Sequence, residues 1–147
     1  MKLSEQIQDQ QIRLNIAQDC VKLMEAQVEA KTGVTGILFK TLYKGIKSIS
    51  PNYTQKAIFG LIPSISQALN PLWDEGIEKG NPVTYLQSNP TLTANTILSV
   101  TDERIKKTAN KIIKVSYEKI RNSLQDEIEQ VVPQLAEILG KYAKKEK

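Results

Sequence analysis

TDERIKKTANKIIKVSYEKIRNSLQDEIEQVVPQLAEILGKY, residues Thr101–Tyr142, holds the chain's strongest helical periodicity and its densest positive charge. Ile105, Ala109, Ile112, Ser116 and Ile120 recur at steps of three and four, the spacing of one helix face. Thr101 reads as the N-cap of that helix, with Asp102 and Glu103 in its first turn, where the macrodipole favours acids. The opposite stripe runs Arg104, Lys107, Lys111, Lys114, Glu118 and Arg121. Near Asn122 the pattern restarts at a capping-box-like Ser123-Leu-Gln-Asp126, and Leu124, Ile128, Val131, Leu135, Ile138 and Tyr142 form a second stripe. Pro133 lies inside it and is expected to kink or interrupt the helix.

Upstream the same grammar returns. Ile12, Ile16, Cys20, Leu23, Met24 and Val28 trace a helix that ends near Lys31-Thr-Gly33, and Leu3–Gln8 reads as a fraying turn before it. Val34, Ile37, Leu38, Leu42, Ile46 and Ile49 make an amphipathic helix with Lys40, Lys44 and Lys47 on its polar side. Phe39, Leu42 and Tyr43 against those lysines also fit an interfacial membrane helix. After Pro51-Asn52, a helix carrying Ala57, Ile58, Leu61 and Ile62 meets Pro63 and resumes through Ile65, Leu69 and Trp73. Gly76, Gly80, Asn81 and Pro82 mark a linker, and Asn89-Pro90 opens another helix. No segment alternates long enough to be a strand.

Laying Val34–Lys47 over Thr108–Arg121 pairs Lys40 with Lys114, Tyr43 with Tyr117 and Lys47 with Arg121. Closing the second copy up by about one helical turn then pairs Ile58 with Ile128, Pro63 with Pro133 and Leu69 with Leu139. The expectation is one all-α domain of about six main helices in two related three-helix halves, residues 10–75 and 84–144. A linker over 76–83 joins them, a pseudo-twofold relates them, and prolines 63 and 133 interrupt their last helices.

Composition narrows the chemistry. A chain of 147 residues with 40% hydrophobic content can bury a core, and 5% aromatic makes that core aliphatic. The net charge of +4 is mild. The longest apolar runs are far short of a membrane span, the N-terminus lacks an apolar signal region, and a single cysteine rules out an internal disulfide, so a cytoplasmic setting is expected. Histidine is absent, which excludes Ser-His-Asp and Cys-His catalysis and histidine-based zinc sites. Cys20, on an apolar stripe, reads as a small buried hydrophobe. Tyr43 and Lys47 form a Tyr-x-x-x-Lys pair near a short Thr32–Gly36 glycine loop, but no strand precedes the loop as a dinucleotide site requires. The carboxylate pairs Glu25/Glu29 and Asp126/Glu129 lie on polar faces. No enzyme, cofactor or metal is expected.

The surface feature is cationic. Arg104, Lys107, Lys111, Lys114 and Arg121 would span about 25 Å of one helix face. Lys40, Lys44 and Lys47 would occupy the related face of the other half. Such faces suit an acidic protein, a second copy of the chain, or peripheral contact with an anionic membrane. Few aromatics interleave with the lysines, which argues against nucleic acid. A non-enzymatic binding or structural protein is the first expectation. The alternative is a carrier holding an apolar ligand or lipid between the two halves.

Asp19-Cys-Val21, Lys31-Thr-Gly33, Tyr43-Lys44, Ala68-Leu-Asn-Pro-Leu-Trp73, Val100-Thr-Asp-Glu-Arg104, Tyr117-Glu-Lys-Ile-Arg121 and Val132-Pro-Gln-Leu135 resemble an uncharacterised family of small bacterial proteins, a domain of unknown function. Asn122 stands where such relatives tend to carry proline. The resemblance implies a helical, cytosolic bacterial protein and brings no catalytic residues.

Overall fold

The computed structural model describes residues 2–143, so residue 144 at the far limit of the second half lies outside it. The described residues are helical, without strands: α1 Leu3–Gln6, α2 Gln10–Ala30, α3 Gly33–Lys47, α4 Tyr53–Glu78, α5 Pro82–Ser88, α6 Pro90–Lys107 and α7 Lys111–Ala143. Local signals set several ends. Asp9 accepts from the Gln11 and Ile12 amides to cap α2, Asn81 accepts from the Thr84 amide to cap α5, and α6 opens on Pro90.

Three boundaries differ from the sequence expectation. Thr101 lies inside α6, not at a helix start; its hydroxyl bonds back to the Leu98 carbonyl at 3.0 Å. The helix instead breaks at residues 108–110, where Asn110 accepts from the Ile113 amide and opens α7. The basic stripe is therefore divided, with Arg104 and Lys107 on α6, and Lys111, Lys114 and Arg121 on α7. Nor does the chain restart near Asn122. α7 runs unbroken for 33 residues.

The prolines do not end their helices. α4 continues through Pro63 and Pro71, and α7 through Pro133. At Pro63 the reason is visible: the Phe59 carbonyl, which an N–H at 63 would have bonded, accepts from Arg13 Nη2 at 3.2 Å, and the Gly60 carbonyl beside it accepts from Arg104 Nη2 at 2.9 Å. The Arg13 guanidinium also lies 4.1 Å from the Phe59 ring centroid.

Packing is uneven along the bundle. Leu3, Ile7, Ile16, Leu69, Trp73, Leu86, Leu139 and Tyr142 form a tight core joining α1, the start of α2, the far end of α4, α5 and the end of α7. α1 is docked and not frayed: Leu3 and Ile7 are buried, and the Ser4 amide donates to Asn70 Oδ1 while Asn70 Nδ2 donates to Ser4 Oγ. Toward the other end Leu23, Leu42, Ile46, Leu61, Leu124 and Ile128 are only half-buried. α3 is the most sparsely packed of the long helices.

The close approach of α4 to α5 has a measurable signature. A Cβ on Gly76 would sit 2.5 Å from the Pro82 Cα, a backbone atom that cannot yield. Gly76→Ala should lose about 1–3 kcal/mol in urea unfolding. Gly45→Ala in α3, with nothing within 4 Å, should gain about 0.5–1 kcal/mol from helix propensity.

Candidate functional site

The half-buried apolar residues, with the buried Phe39, Ile97 and Leu98, surround a cavity of about 380 Å³. Five long helices line it. α2 supplies Leu23 and Met24, α3 Phe39, Leu42 and Ile46, α4 Ile58 and Leu61, α6 Ile97 and Leu98, and α7 Ile120, Leu124 and Ile128. Its volume falls within the roughly 300–1,000 Å³ of small-molecule sites. The walls are apolar because the apolar stripes of these amphipathic helices converge there.

A few polar groups interrupt the lining in three places. At the first, Lys31 pairs with Glu127, both side chains largely buried at 16% and 12% exposure. Gln27 Nε2 donates to Glu127 Oε1 and to Gln130 Oε1, each at 2.9 Å. Lys31 also stands 5.4 Å from the Phe39 ring centroid, so this belt ties the end of α2 to the middle of α7 beside α3. At the second, the Tyr43 hydroxyl donates to Glu25 Oε2 at 2.8 Å, and Lys47 approaches the same oxygen at 3.7 Å. At the third, the Tyr117 hydroxyl donates to Asp102 Oδ1, and Arg121 grips Asp102 with Nε at 2.8 Å and Nη2 at 2.9 Å. The Thr101 and Tyr117 hydroxyls are 2.8 Å apart.

These environments move ionisations away from neutrality. Burial first, and then the Glu25 carboxylate, push the Tyr43 hydroxyl up to about 12. Burial, followed by the Asp102 hydrogen bond, does the same to Tyr117, also about 12. The Arg121 hydrogen bonds hold the Asp102 carboxyl below its ordinary range; partial burial opposes them, and the Tyr117 hydroxyl adds to them. Burial raises the Cys20 thiol on the cavity wall to about 12, with Asp19 contributing, so it stays protonated and unreactive. Among the described residues, no three of His, Cys, Asp and Glu gather as a metal site.

The residues expected to form a cationic face scatter into different roles. Arg121 is bound to Asp102, Arg104 to the Gly60 carbonyl, and Lys47 lies against Glu25 and 5.3 Å from the Tyr43 ring centroid. Lys40, Lys44, Lys107 and Lys111 are exposed and Lys114 half-buried, without an ion pair among the described residues. Sequence reasoning offered an apolar site between the halves as its alternative but could not name its lining, because a lining leucine and a core leucine carry the same periodicity. It also missed the acids that complete the two tyrosine clusters, although the repeated Tyr-x-x-x-basic spacing at 43/47 and 117/121 marked their other members.

Two measurements follow. Lys31→Met should cost about 1–3 kcal/mol by leaving Glu127 with Gln27 as its only partner among the described residues, whereas Lys31→Met with Glu127→Leu should recover most of it, as a double-mutant cycle would read. The second concerns alkali. A hydroxyl whose folded value is raised from 10 to about 12 contributes stability that is complete below pH 10 and is lost as pH climbs toward 12. An ultraviolet titration should find two of the five tyrosines ionising near 12, and Tyr43→Phe and Tyr117→Phe should each remove one late-titrating group.

No helix among the described residues is long and apolar enough to cross a membrane. No curated protein and no solved structure matches the chain. One family does match across residues 3–143, nearly the whole length: the chain belongs to a family of unknown function, DUF6918.

Proposed function

We propose that the chain is a carrier for an apolar, chain-like ligand, acting by binding without chemistry. One observation carries this reading, the apolar cavity of about 380 Å³ between α2, α3, α4, α6 and α7. Apolar walls of this extent are better matched by a hydrocarbon chain than by water. The sparse polar groups at the wall suit a ligand with one polar end, a fatty acid or similar amphiphile.

The inert Cys20 thiol and a chain without histidine favour binding over catalysis. The basic-face alternative draws less support, since three of its eight cations bond internally and the remainder divide between α3, α6 and α7.

The reading includes descent of the chain from two related halves, α2–α3–α4 and α6–α7. Each half joins a tyrosine and the base four residues on to an acid of the preceding helix: Tyr43, Lys47 and Glu25 in one, Tyr117, Arg121 and Asp102 in the other. The turn that the first half inserts at residues 48–52 is the helical turn missing from the second, and its absence fuses two helices into α7.

Native mass spectrometry of protein purified without detergent should show a bound amphiphile, and a fluorescent fatty acid should bind and be displaced by palmitate. Leu124→Trp, which fills the cavity from α7, should weaken that binding at least tenfold while leaving the melting temperature unchanged or higher. A tryptophan variant that melts several degrees lower would mean that the space is filled by the protein itself, and would refute the carrier.

A further inference from the structure

α3 is apolar on two sides. Its inner side gives Phe39, Leu42 and Ile46 to the cavity. Its outer side leaves Val34 86%, Ile37 68% and Leu38 37% exposed. Ile37, Lys40, Thr41 and Lys44 follow one another at steps of three, one and three, so the exposed aliphatics share that outer side with two lysines, both exposed. Phe39, Leu42 and Tyr43, whose pattern fits a core-packed helix as well as an interfacial one, line the cavity; the apolar groups left in water are a different set.

Nothing within the described fold covers this side. Its charge is of one sign: Gly33–Lys47 contains no acid, and Glu25, the acid nearest its far end, is already held by Tyr43 and Lys47. A soluble helix that carries bulky aliphatics outward, rimmed only by lysines, matches an anionic bilayer interface, into which the aliphatics sink while the lysines meet headgroup phosphates. We infer that the outer side of α3, centred on Val34, Ile37, Leu38, Lys40 and Lys44, is a docking surface for an anionic lipid membrane. Docking there sets the wall of the cavity directly against the bilayer. The inference goes beyond the carrier reading and does not need it, because a helix can dock whatever the cavity holds.

The test is co-sedimentation of the full chain with vesicles of phosphatidylcholine alone and of phosphatidylcholine mixed with phosphatidylglycerol. The protein should pellet with the mixed vesicles, only weakly with the neutral ones, and be released by high salt. Ile37→Asp should reduce pelleting at least about tenfold, and so should Lys40→Glu with Lys44→Glu. These positions are exposed, so circular dichroism and melting temperature should match the parent chain; Lys107→Glu, on α6, should pellet as the parent does. The inference is overturned if the chain does not partition onto the mixed vesicles or if the α3 variants pellet unchanged. It is equally overturned if the parent forms dimers that Ile37→Asp dissociates, since the aliphatics would then be meeting a second copy.

Discussion

The long helices of this chain are held by one buried cluster on which the rest of the structure depends, and the cavity begins at its edge, where Ile7, Ile16, Leu69 and Leu139 belong to both. Leu69, Trp73, Leu86, Leu139 and Tyr142 lock the far ends of α4 and α7 to α1, α5 and the start of α2. Burying such side chains contributes about 1.5–3 kcal/mol each, enough for one end to carry the fold. The close glycine contact of Gly76 with Pro82 shows how little room remains there. At the other end the same helices arrive already fixed in direction, and their apolar stripes face one another without closing the distance.

The polar clusters make sense as struts across that hollow. Lys31 with Glu127, Tyr43 with Glu25 and Lys47, and Tyr117 with Asp102 and Arg121 each join neighbouring helices where aliphatic packing is thin. Their charged hydrogen bonds are shorter and stronger than neutral ones and fix how those helices meet. They also hold it over a wide range of pH, since Asp102 titrates below its ordinary range and the two tyrosines far above neutrality. The arginines on the Phe59 and Gly60 carbonyls do related work for α4, carrying it past Pro63 so that one helix serves both the filled and the hollow end.

Much of the architecture was legible in the residues. Apolar spacing at three and four gives the helices, and Asn89-Pro90 gives the start of α6. The errors have local causes. Thr101 followed by Asp102 and Glu103 has the chemistry of a helix start, but Thr101 and Asp102 serve tertiary bonds to Tyr117 and Arg121, and the real break falls at 108–110. Prolines 63 and 133 signal breaks, yet both helices run through them, at Pro63 with Arg13 taking up the carbonyl left free. The size and lining of the cavity were not legible, because periodicity reports which side of a helix is apolar and not how far away the opposing side stands. The cationic residues were legible as charges; whether each meets water, a carbonyl or a carboxylate is decided by elements distant in sequence.

The continuity of α7 has one more consequence. A rod of 33 residues, about 50 Å long, reaches from the filled end to the hollow one and cannot retract at one without disturbing the other. α3 has no such anchor; it hangs between the short link at residues 31–32 and the turn at 48–52, where Asn52 adopts a left-handed conformation. Of the five helices that line the cavity, α3 is therefore the one whose position its neighbours fix least.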